Sequence, residues 1–289
     1  MDEVRKQLNF LLKKHGYGFQ YSVLARVLLL AHKKKSHWSV EVSEFPVEVQ
    51  GVGTKIDFML QLKNTRIFIV AECKRADPKF SNWCFVKAPY VRRNRVKEVF
   101  FVDRVRYDKP MCRVTQDELT ILSQENAFHI GLVVKSIEKG EGTKSETDAI
   151  EKAATQVCRG VNGLIDLADK KPELITSGAD NDPGAIFIPV IFTTAKLYSC
   201  PCDLSSADLE TGNLDISDKE LTKENFVYYQ YHLSPGIKHL AHTEQSSYRF
   251  SDVLDREYVR TIPIVTATGM DKFLGSFGDN ILIRLRQSR

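Results

Sequence analysis

Three charged residues near the end of an apolar stretch have the types and spacing to do chemistry: Asp57, Glu72 and Lys74. Residues 67–71 are continuously apolar, as expected of a strand that is buried on both faces, and they run directly into Glu-Cys-Lys. Because successive side chains of a strand point to opposite faces, Glu72 and Lys74 should point the same way. A carboxylate and an ammonium group would therefore lie side by side where a buried strand ends.

A second apolar stretch, residues 55–62, is followed by a polar break and predicts a β-hairpin with the strand that carries Glu72. Counting outward from a turn between Asn64 and Thr65 places Asp57 opposite Glu72. Directly opposed residues have Cβ atoms roughly 4.5–5.5 Å apart, where like charges are destabilising. A divalent cation would offset this repulsion, and Mg²⁺ is commonly bound through one or two carboxylates.

The combination of Asp57, a spacer of strand and turn, and then Glu72-x-Lys74 resembles the core motif of the PD-(D/E)XK nuclease superfamily. The similarity covers residues 44–74, and the order of elements agrees more loosely to about residue 192. Ile56 stands where the family's name has proline. The resemblance implies an α/β fold with a restriction-endonuclease-like αβββαβ core, in which helices flank a mixed central sheet. It also implies a nuclease that uses Mg²⁺, with Mn²⁺ as a substitute.

The resemblance assigns a role to each residue of the motif. Asp57 and Glu72 would bind the metal together with the backbone carbonyl of Cys73, and Lys74 would orient or polarise the attacking water. The family often adds an acid from the first helix, but residues 19–31 contain none. On the preceding strand, Glu44 and Glu48 are candidate metal ligands, and a solvent-facing position is the alternative for both.

A glutamine and a basic segment complete the predicted site. Some members of the superfamily place a glutamine on the helix that corresponds to residues 146–169, so Gln156 is a candidate for positioning water or phosphate, with an ordinary exposed glutamine as the alternative. Residues 90–101 interleave cations with aromatic side chains. Because arginine binds phosphate with a planar fork, this segment is a candidate backbone-binding patch, or else a solvated face. Its cations are Arg92, Arg93, Arg95 and Lys97.

Composition limits the function classes. The 289 residues are 43% hydrophobic and carry a formal net charge of +4, which permits a real core and permits nucleic acid without requiring it. The 6 cysteines lack a framework spacing and predict free thiols in a reducing cytoplasm. The apolar residues 23–31 are too few to span a bilayer. The sequence contains no phosphate-binding glycine loop, dinucleotide fingerprint or catalytic serine motif. Cys200 and Cys202, and the histidines His232, His239 and His242, are more simply explained as structural or surface residues than as metal ligands.

The elements that position the motif follow from periodicity and turn signals. We predict helices at residues 2–15, 19–34, 116–126 and 146–169, and strands at 38–50, 55–62, 66–74, 96–105, 129–135, 184–193 and 195–200. They form a nuclease-like domain at residues 1–200, with an insertion at about 77–130. Residues 201–289 form a C-terminal region without an assigned function, which could pack on the core.

Together these features predict a metal-dependent phosphodiesterase, with an endonuclease acting on DNA favoured over one acting on RNA. A nucleic-acid-binding or assembly module that does not cleave is the alternative from another class, and a homodimer is left open. Analogy with the superfamily points to bacterial defence or a mobile element.

Replacing Arg92, Arg93 and Arg95 with glutamine should weaken nucleic-acid binding by about the same factor for every sequence, because phosphate contacts carry no sequence information. Each lost contact should also flatten the plot of log affinity against log salt by nearly one unit. Fluorescence anisotropy with labelled duplexes over a salt series measures both quantities. An unchanged salt slope would assign these arginines to a solvated surface.

Overall fold

The computed structural model describes residues 2–49, 51–88, 100–108, 111–119, 127–134, 148–176, 184–216, 221–233 and 258–287. Its α-helices are α1 Asp2–His15, α2 Tyr17–His32, α3 Asp148–Lys170, α4 Glu173–Thr176 and α5 Met270–Gln287. Its first strands are β1 Trp38–Val49, β2 Val52–Leu62, β3 Ile67–Lys74, β4 Asn82–Val86, β5 Phe100–Asp108, β6 Met111–Leu119 and β7 Ala127–Phe128. The others are β8 Ile130–Val134, β9 Gly184–Thr193, β10 Lys196–Cys200, β11 Thr222–Glu224, β12 Phe226–His232 and β13 Val259–Thr266.

The strands form two sheets. The larger sheet has the order β1-β2-β3-β9-β13-β12-β7, and the smaller has the order β11-β10-β4-β8. In the larger sheet β3, β9 and β13 run parallel to one another, whereas β2 is antiparallel to both β1 and β3. A β5–β6 hairpin joins it through β5, which pairs with the first part of β9, while β13 pairs with its last residues. The protein is therefore α/β with a mixed sheet, as predicted.

Apolar cores lie on both faces of the larger sheet. On one face, Val27 of α2 and Phe273 of α5 pack with strand residues such as Ile69. On the other face, Val157 of α3 and Phe85 of the smaller sheet belong to a second cluster. The central strands are covered on both faces, so their side chains are apolar on both faces. Their sequences are therefore continuous apolar runs.

The predicted hairpin register is confirmed. The β2–β3 ladder ends with the pair Phe58 and Ala71, which is the register expected from the predicted turn centre. Asn64 in the turn has a φ of 59°, a left-handed conformation that asparagine tolerates. Asp57 and Glu72 lie one residue beyond the last ladder pair, at the end of the hairpin.

Two predicted elements differ from the structure. The helix predicted at residues 116–126 is wrong over residues 116–119, which belong to β6 and pair with β5, and residues 120–126 lie outside the described ranges. Pairing across a hairpin outweighs a weak local helical pattern. The strand predicted at 195–200 exists as β10, but it pairs with β4 and β11 in the smaller sheet rather than with β9.

The larger sheet combines three separate parts of the chain. The predicted insertion supplies β5 and β7, and the C-terminal residues supply β12 and β13. A buried ion pair links β5 to β13, because Arg260 donates from Nε to Asp103 at 2.8 Å and from a terminal nitrogen at 2.5 Å. Removing one partner of such a pair leaves an uncompensated buried charge, at a cost of about 3–5 kcal/mol.

Two predictions for the whole chain concern its cysteines and its helices. Cys73, Cys84, Cys158, Cys200 and Cys202 are free thiols, as predicted. Within the described ranges no helix is both long enough and apolar enough to cross a membrane.

Helix α3 approaches the larger sheet closely because two of its glycines face the strands. A Cβ on Gly163 would lie 2.6 Å from side-chain atoms of Val47, and a Cβ on Gly160 would lie 3.1 Å from Ile56. Gln156 is one helical turn before Gly160. The glycines therefore set the distance at which Gln156 faces the strands.

Gly163→Ala should destabilise the protein by about 1–3 kcal/mol, because the added methyl group overpacks the contact with Val47. Gly18→Ala is the matched control: it is also a helical glycine, and a Cβ there would meet nothing within 4 Å. Since alanine favours helix over glycine, the control should be neutral or stabilising by up to about 1 kcal/mol. Chemical denaturation measures both, and equal stability of the two variants would contradict the close packing of α3.

Candidate functional site

A polar cleft lies where the α1–α2 junction, the strands β1 to β3 and α3 meet. Its volume is about 210 Å³. It is lined by His15, Gly16, Tyr17, Gln20, Glu44, Lys55, Asp57, Glu72, Cys73, Lys74 and Gln156. The structure thus brings together six residues that the sequence analysis selected: Glu44, Asp57, Glu72, Cys73, Lys74 and Gln156.

Glu72 and Lys74 contact each other on one side of β3. The Nζ atom of Lys74 lies 2.8 Å from Oε1 of Glu72, and it donates a hydrogen bond to Oε1 of Gln156 at 2.9 Å. Glu72 is only 3% exposed, whereas Lys74 is partly exposed. Helix α3 therefore fixes the position of the ammonium group through Gln156.

Asp57 is fixed by the backbone of the facing strand. Its Oδ2 atom accepts a hydrogen bond from the backbone N–H of Cys73 at 2.7 Å. This contact lies beyond the last ladder pair of the hairpin, so the carboxylate satisfies a donor at the end of the strand pairing. The Cys73 thiol packs against the opposite core, and burial raises its pKa well above the ordinary value. The thiol is therefore neutral at pH 7 and belongs to the apolar core.

The two carboxyl groups resist ionisation. Burial, together with the nearby charge of Asp57, raises the pKa of Glu72 to about 8, although Lys74 opposes the change. Burial also raises the pKa of Asp57, and the hydrogen bond from Cys73 and the charge of Lys74 oppose that shift. The raised pKa values mean that the ionised forms of both groups are disfavoured in the folded protein. A further positive charge near Glu72 would therefore be favourable.

Glu44 enters the cleft through an unusual backbone conformation. Its φ is 53°, which is strained for a residue with a side chain, and strain of this kind clusters at functional sites. Its carboxylate accepts hydrogen bonds from Gln20 and, at 2.8 Å, from Lys55. Gln20 also donates to the backbone oxygen of Asp57 at 3.1 Å. One amide therefore links α2 to β1 and to β2.

The sequence analysis missed Gln20 and Lys55. Gln20 is 4% exposed and lies in line with Val23, Leu24 and Val27, the buried stripe of α2. A polar residue within an apolar helical stripe was a readable signal, because a buried amide needs hydrogen-bond partners. Lys55 carried no comparable signal, since lysines at strand ends are usually solvated.

Several other candidates lie elsewhere. Glu48 is exposed on β1, where it pairs with Gly53, and it does not line the cleft. His232 is at the end of β12. The four cations of the basic segment, Arg92, Arg93, Arg95 and Lys97, lie outside the described residues, as do His239 and His242.

The donor set of the cleft suits a hard cation. Asp57 and Glu72 offer carboxylate oxygens, which Mg²⁺ binds while keeping several waters in its remaining positions. Among the residues that the structure describes, no group of three or more His, Cys, Asp and Glu side chains is arranged to hold a metal ion. A cation bound here would therefore be held by few protein ligands and would depend on water or substrate oxygens.

Comparison of the chain with protein-family models, with curated proteins and with solved structures found no match. The chemistry of this cleft must therefore be inferred from its own residues. It offers the buried carboxyl group of Glu72, the partly buried one of Asp57, a third acid in a strained conformation, and an ammonium group held against Glu72.

The stability of the metal-free protein should fall as pH rises from about 4.5 to about 8. In this window the unfolded chain has lost the Glu72 proton, because its ordinary pKa is 4.5, while the folded protein keeps it. One proton changes the free energy of unfolding by at most about 1.4 kcal/mol per pH unit. Guanidinium unfolding at several pH values in EDTA measures the decline.

Glu72→Gln should remove this part of the pH dependence, so the variant gains stability relative to the wild type as pH rises. Glu48→Gln is the matched control, since it changes an exposed acid of the same sheet. Parallel curves for the wild type and Glu72→Gln would show that Glu72 ionises normally in the folded protein.

Proposed function

We propose that this chain is a Mg²⁺-dependent nuclease of the PD-(D/E)XK type that hydrolyses phosphodiester bonds in DNA. The observation that carries the proposal is the convergence of Asp57, Glu72, Lys74 and Gln156 on one cleft from three different elements. Glu72 and Lys74 lie at the end of β3, a central strand that is hydrogen-bonded to β2 on one edge and to β9 on the other. Such a strand holds its side chains rigidly, which catalysis by positioning requires.

The order of elements around the cleft supports the same family. Helix α2 is followed by the antiparallel strands β1, β2 and β3, and, after the intervening strands β4 to β8, by α3 and then β9, which lies parallel to β3. With those five strands taken as an insertion, the order resembles the αβββαβ core of the family. The remaining strands of the larger sheet extend it beyond β9.

Asp57 and Glu72 would hold the metal, and Glu44, which lines the same cleft, would reach it through water. Mg²⁺ bound there supplies Lewis-acid stabilisation of the phosphate and lowers the pKa of bound water. The burial of Glu72 and the partial burial of Asp57 favour metal binding, because a cation compensates the charge of carboxylates that water solvates poorly.

Lys74 would stabilise the charge that develops on the phosphate. Its ammonium group is held by Glu72 and Gln156, so it is positioned before substrate arrives. Gln156 acts as a positioning residue, because its amide oxygen accepts from Lys74 and cannot take up a proton at neutral pH. RNA would meet the same groups, so it belongs among the substrates to be assayed.

Lys74→Ala, Asp57→Asn and Glu72→Gln should each lower cleavage by about 100-fold or more, since removing a single transition-state contact commonly costs 10²–10³ in rate. Asparagine at position 57 retains an acceptor for the Cys73 N–H, so the hairpin end should stay intact. The assay uses plasmid DNA, linear duplex, single-stranded DNA and RNA with Mg²⁺, Mn²⁺ or EDTA, and Glu48→Gln serves as the control.

Metal and substrate binding separate the roles of these residues. Mg²⁺ at one hundred times its dissociation constant should stabilise the wild type by about 2.7 kcal/mol, and the Asp57→Asn, Glu72→Gln double variant should lose this response.

Lys74→Ala should keep most of its affinity for nucleic acid while losing turnover. Near wild-type cleavage by Lys74→Ala would refute the proposed site even if the protein were a nuclease.

A further inference from the structure

The mouth of the cleft carries two exposed tyrosines. Tyr17 and Tyr21 lie four residues apart on α2, so they are neighbours on one face of the helix, and they are 41% and 53% exposed. Tyr17 lines the cleft itself. The His15 ring lies beside it, with ring centroids 6.0 Å apart and planes tilted by 32°. Three rings thus surround the entrance next to Gln20 and Glu44.

Cations lie among these rings. Lys55 bonds to Glu44, and that carboxylate is the main cause of its raised pKa, to which the phenol groups of Tyr17 and Tyr21 add. Lys55 and Tyr17 also line the same cleft, and Tyr21 lies one helical turn beyond Tyr17. Arg75 follows Lys74, and its Cβ lies 3.9 Å from the point that a Cβ on Gly16 would occupy. Lys55 thus brings positive charge to the entrance from β2, and Arg75 begins close to the α1–α2 junction.

The rings and cations together have the chemistry of a single-stranded nucleic acid site. Such sites combine cations that meet the backbone with aromatic side chains on which unpaired bases stack. Bases within a duplex already stack on each other and cannot offer their faces. In addition, Tyr17 and Gln20 are both close to the acids, so a base stacked on this rim would place its own phosphate near the cleft.

We infer that His15, Tyr17 and Tyr21, with Lys55, form a subsite for an unpaired nucleotide, so that the substrate reaches the cleft as a single strand. This inference rests on the proposed nuclease function and narrows its substrate class. It assigns the exposed tyrosines to base stacking and Lys55 to the neighbouring phosphate once substrate is bound.

The test measures binding in EDTA, where no cleavage occurs. The probes are a fluorescent single-stranded oligonucleotide, the same strand with abasic sites, and a blunt duplex of that sequence. Because stacking contributes about 1–3 kcal/mol per base, Tyr17→Ala with Tyr21→Ala should weaken binding of the intact single strand by about 5- to 150-fold. Binding of the abasic strand and of the blunt duplex should change less than about 2-fold.

Two variants make the result specific. Tyr17→Phe with Tyr21→Phe keeps the rings and should retain single-strand affinity, which a role limited to the hydroxyl groups would not allow. Leu28→Ala removes another exposed side chain of α2, 58% exposed in the folded protein, and should change nothing. Thermal melting of each variant checks that the fold is retained.

An equal loss for intact and abasic strands, or for single strand and duplex, would overturn the inference. Cleavage of plasmid DNA in Mg²⁺ by the wild type is scored separately. Cleavage without single-strand preference would leave the proposed nuclease standing and remove the subsite. Ring-dependent single-strand binding without cleavage under any metal would refute the nuclease and retain the nucleotide site.

Discussion

Burial of Glu72 beside Asp57 is the constraint around which the cleft is organised. An isolated buried carboxylate costs several kcal/mol, and a second one nearby adds repulsion. The surrounding elements each supply compensation: β3 provides Lys74 and the Cys73 backbone N–H, and α3 holds Lys74 through Gln156. Compensation is incomplete, because the pKa of Glu72 is still raised to about 8. A fold keeps such an unfavourable group mainly where function requires it.

The sheet converts this electrostatic arrangement into a rigid one. Strand β3 is paired with β9 along its whole length, up to Lys74 opposite Thr193, so the lysine belongs to the sheet rather than to a loop. The glycine contacts of α3 bring Gln156 within hydrogen-bond distance. On the far edge of β9, the buried pair of Asp103 and Arg260 holds two further strands together. The site therefore depends on contacts that lie well outside the cleft.

The contrast between Glu44 and Glu48 shows how backbone conformation selects a functional residue. A regular strand would place both acids on the same face, because they are four residues apart. Glu44 has a φ of 53°, which interrupts the regular alternation at this position. Its carboxylate consequently reaches Gln20 and Lys55, while Glu48 remains exposed on β1. A candidate third acid arises from an irregularity that alternation alone does not reveal.

Local sequence patterns were sufficient to predict the features that depend on residues close together in the chain. Period-two alternation and the turn at Asn64 predicted the hairpin register, and helical periodicity predicted α3, because strand faces and tight turns are set within a few residues. Three features could not be predicted from local patterns. Strand β10 joins a second sheet, β5 and β13 share one edge of β9, and Gln20 contacts Glu44. These contacts join residues far apart in sequence, and their selection depends on which apolar faces can be buried together, a property of the whole chain rather than of any local pattern.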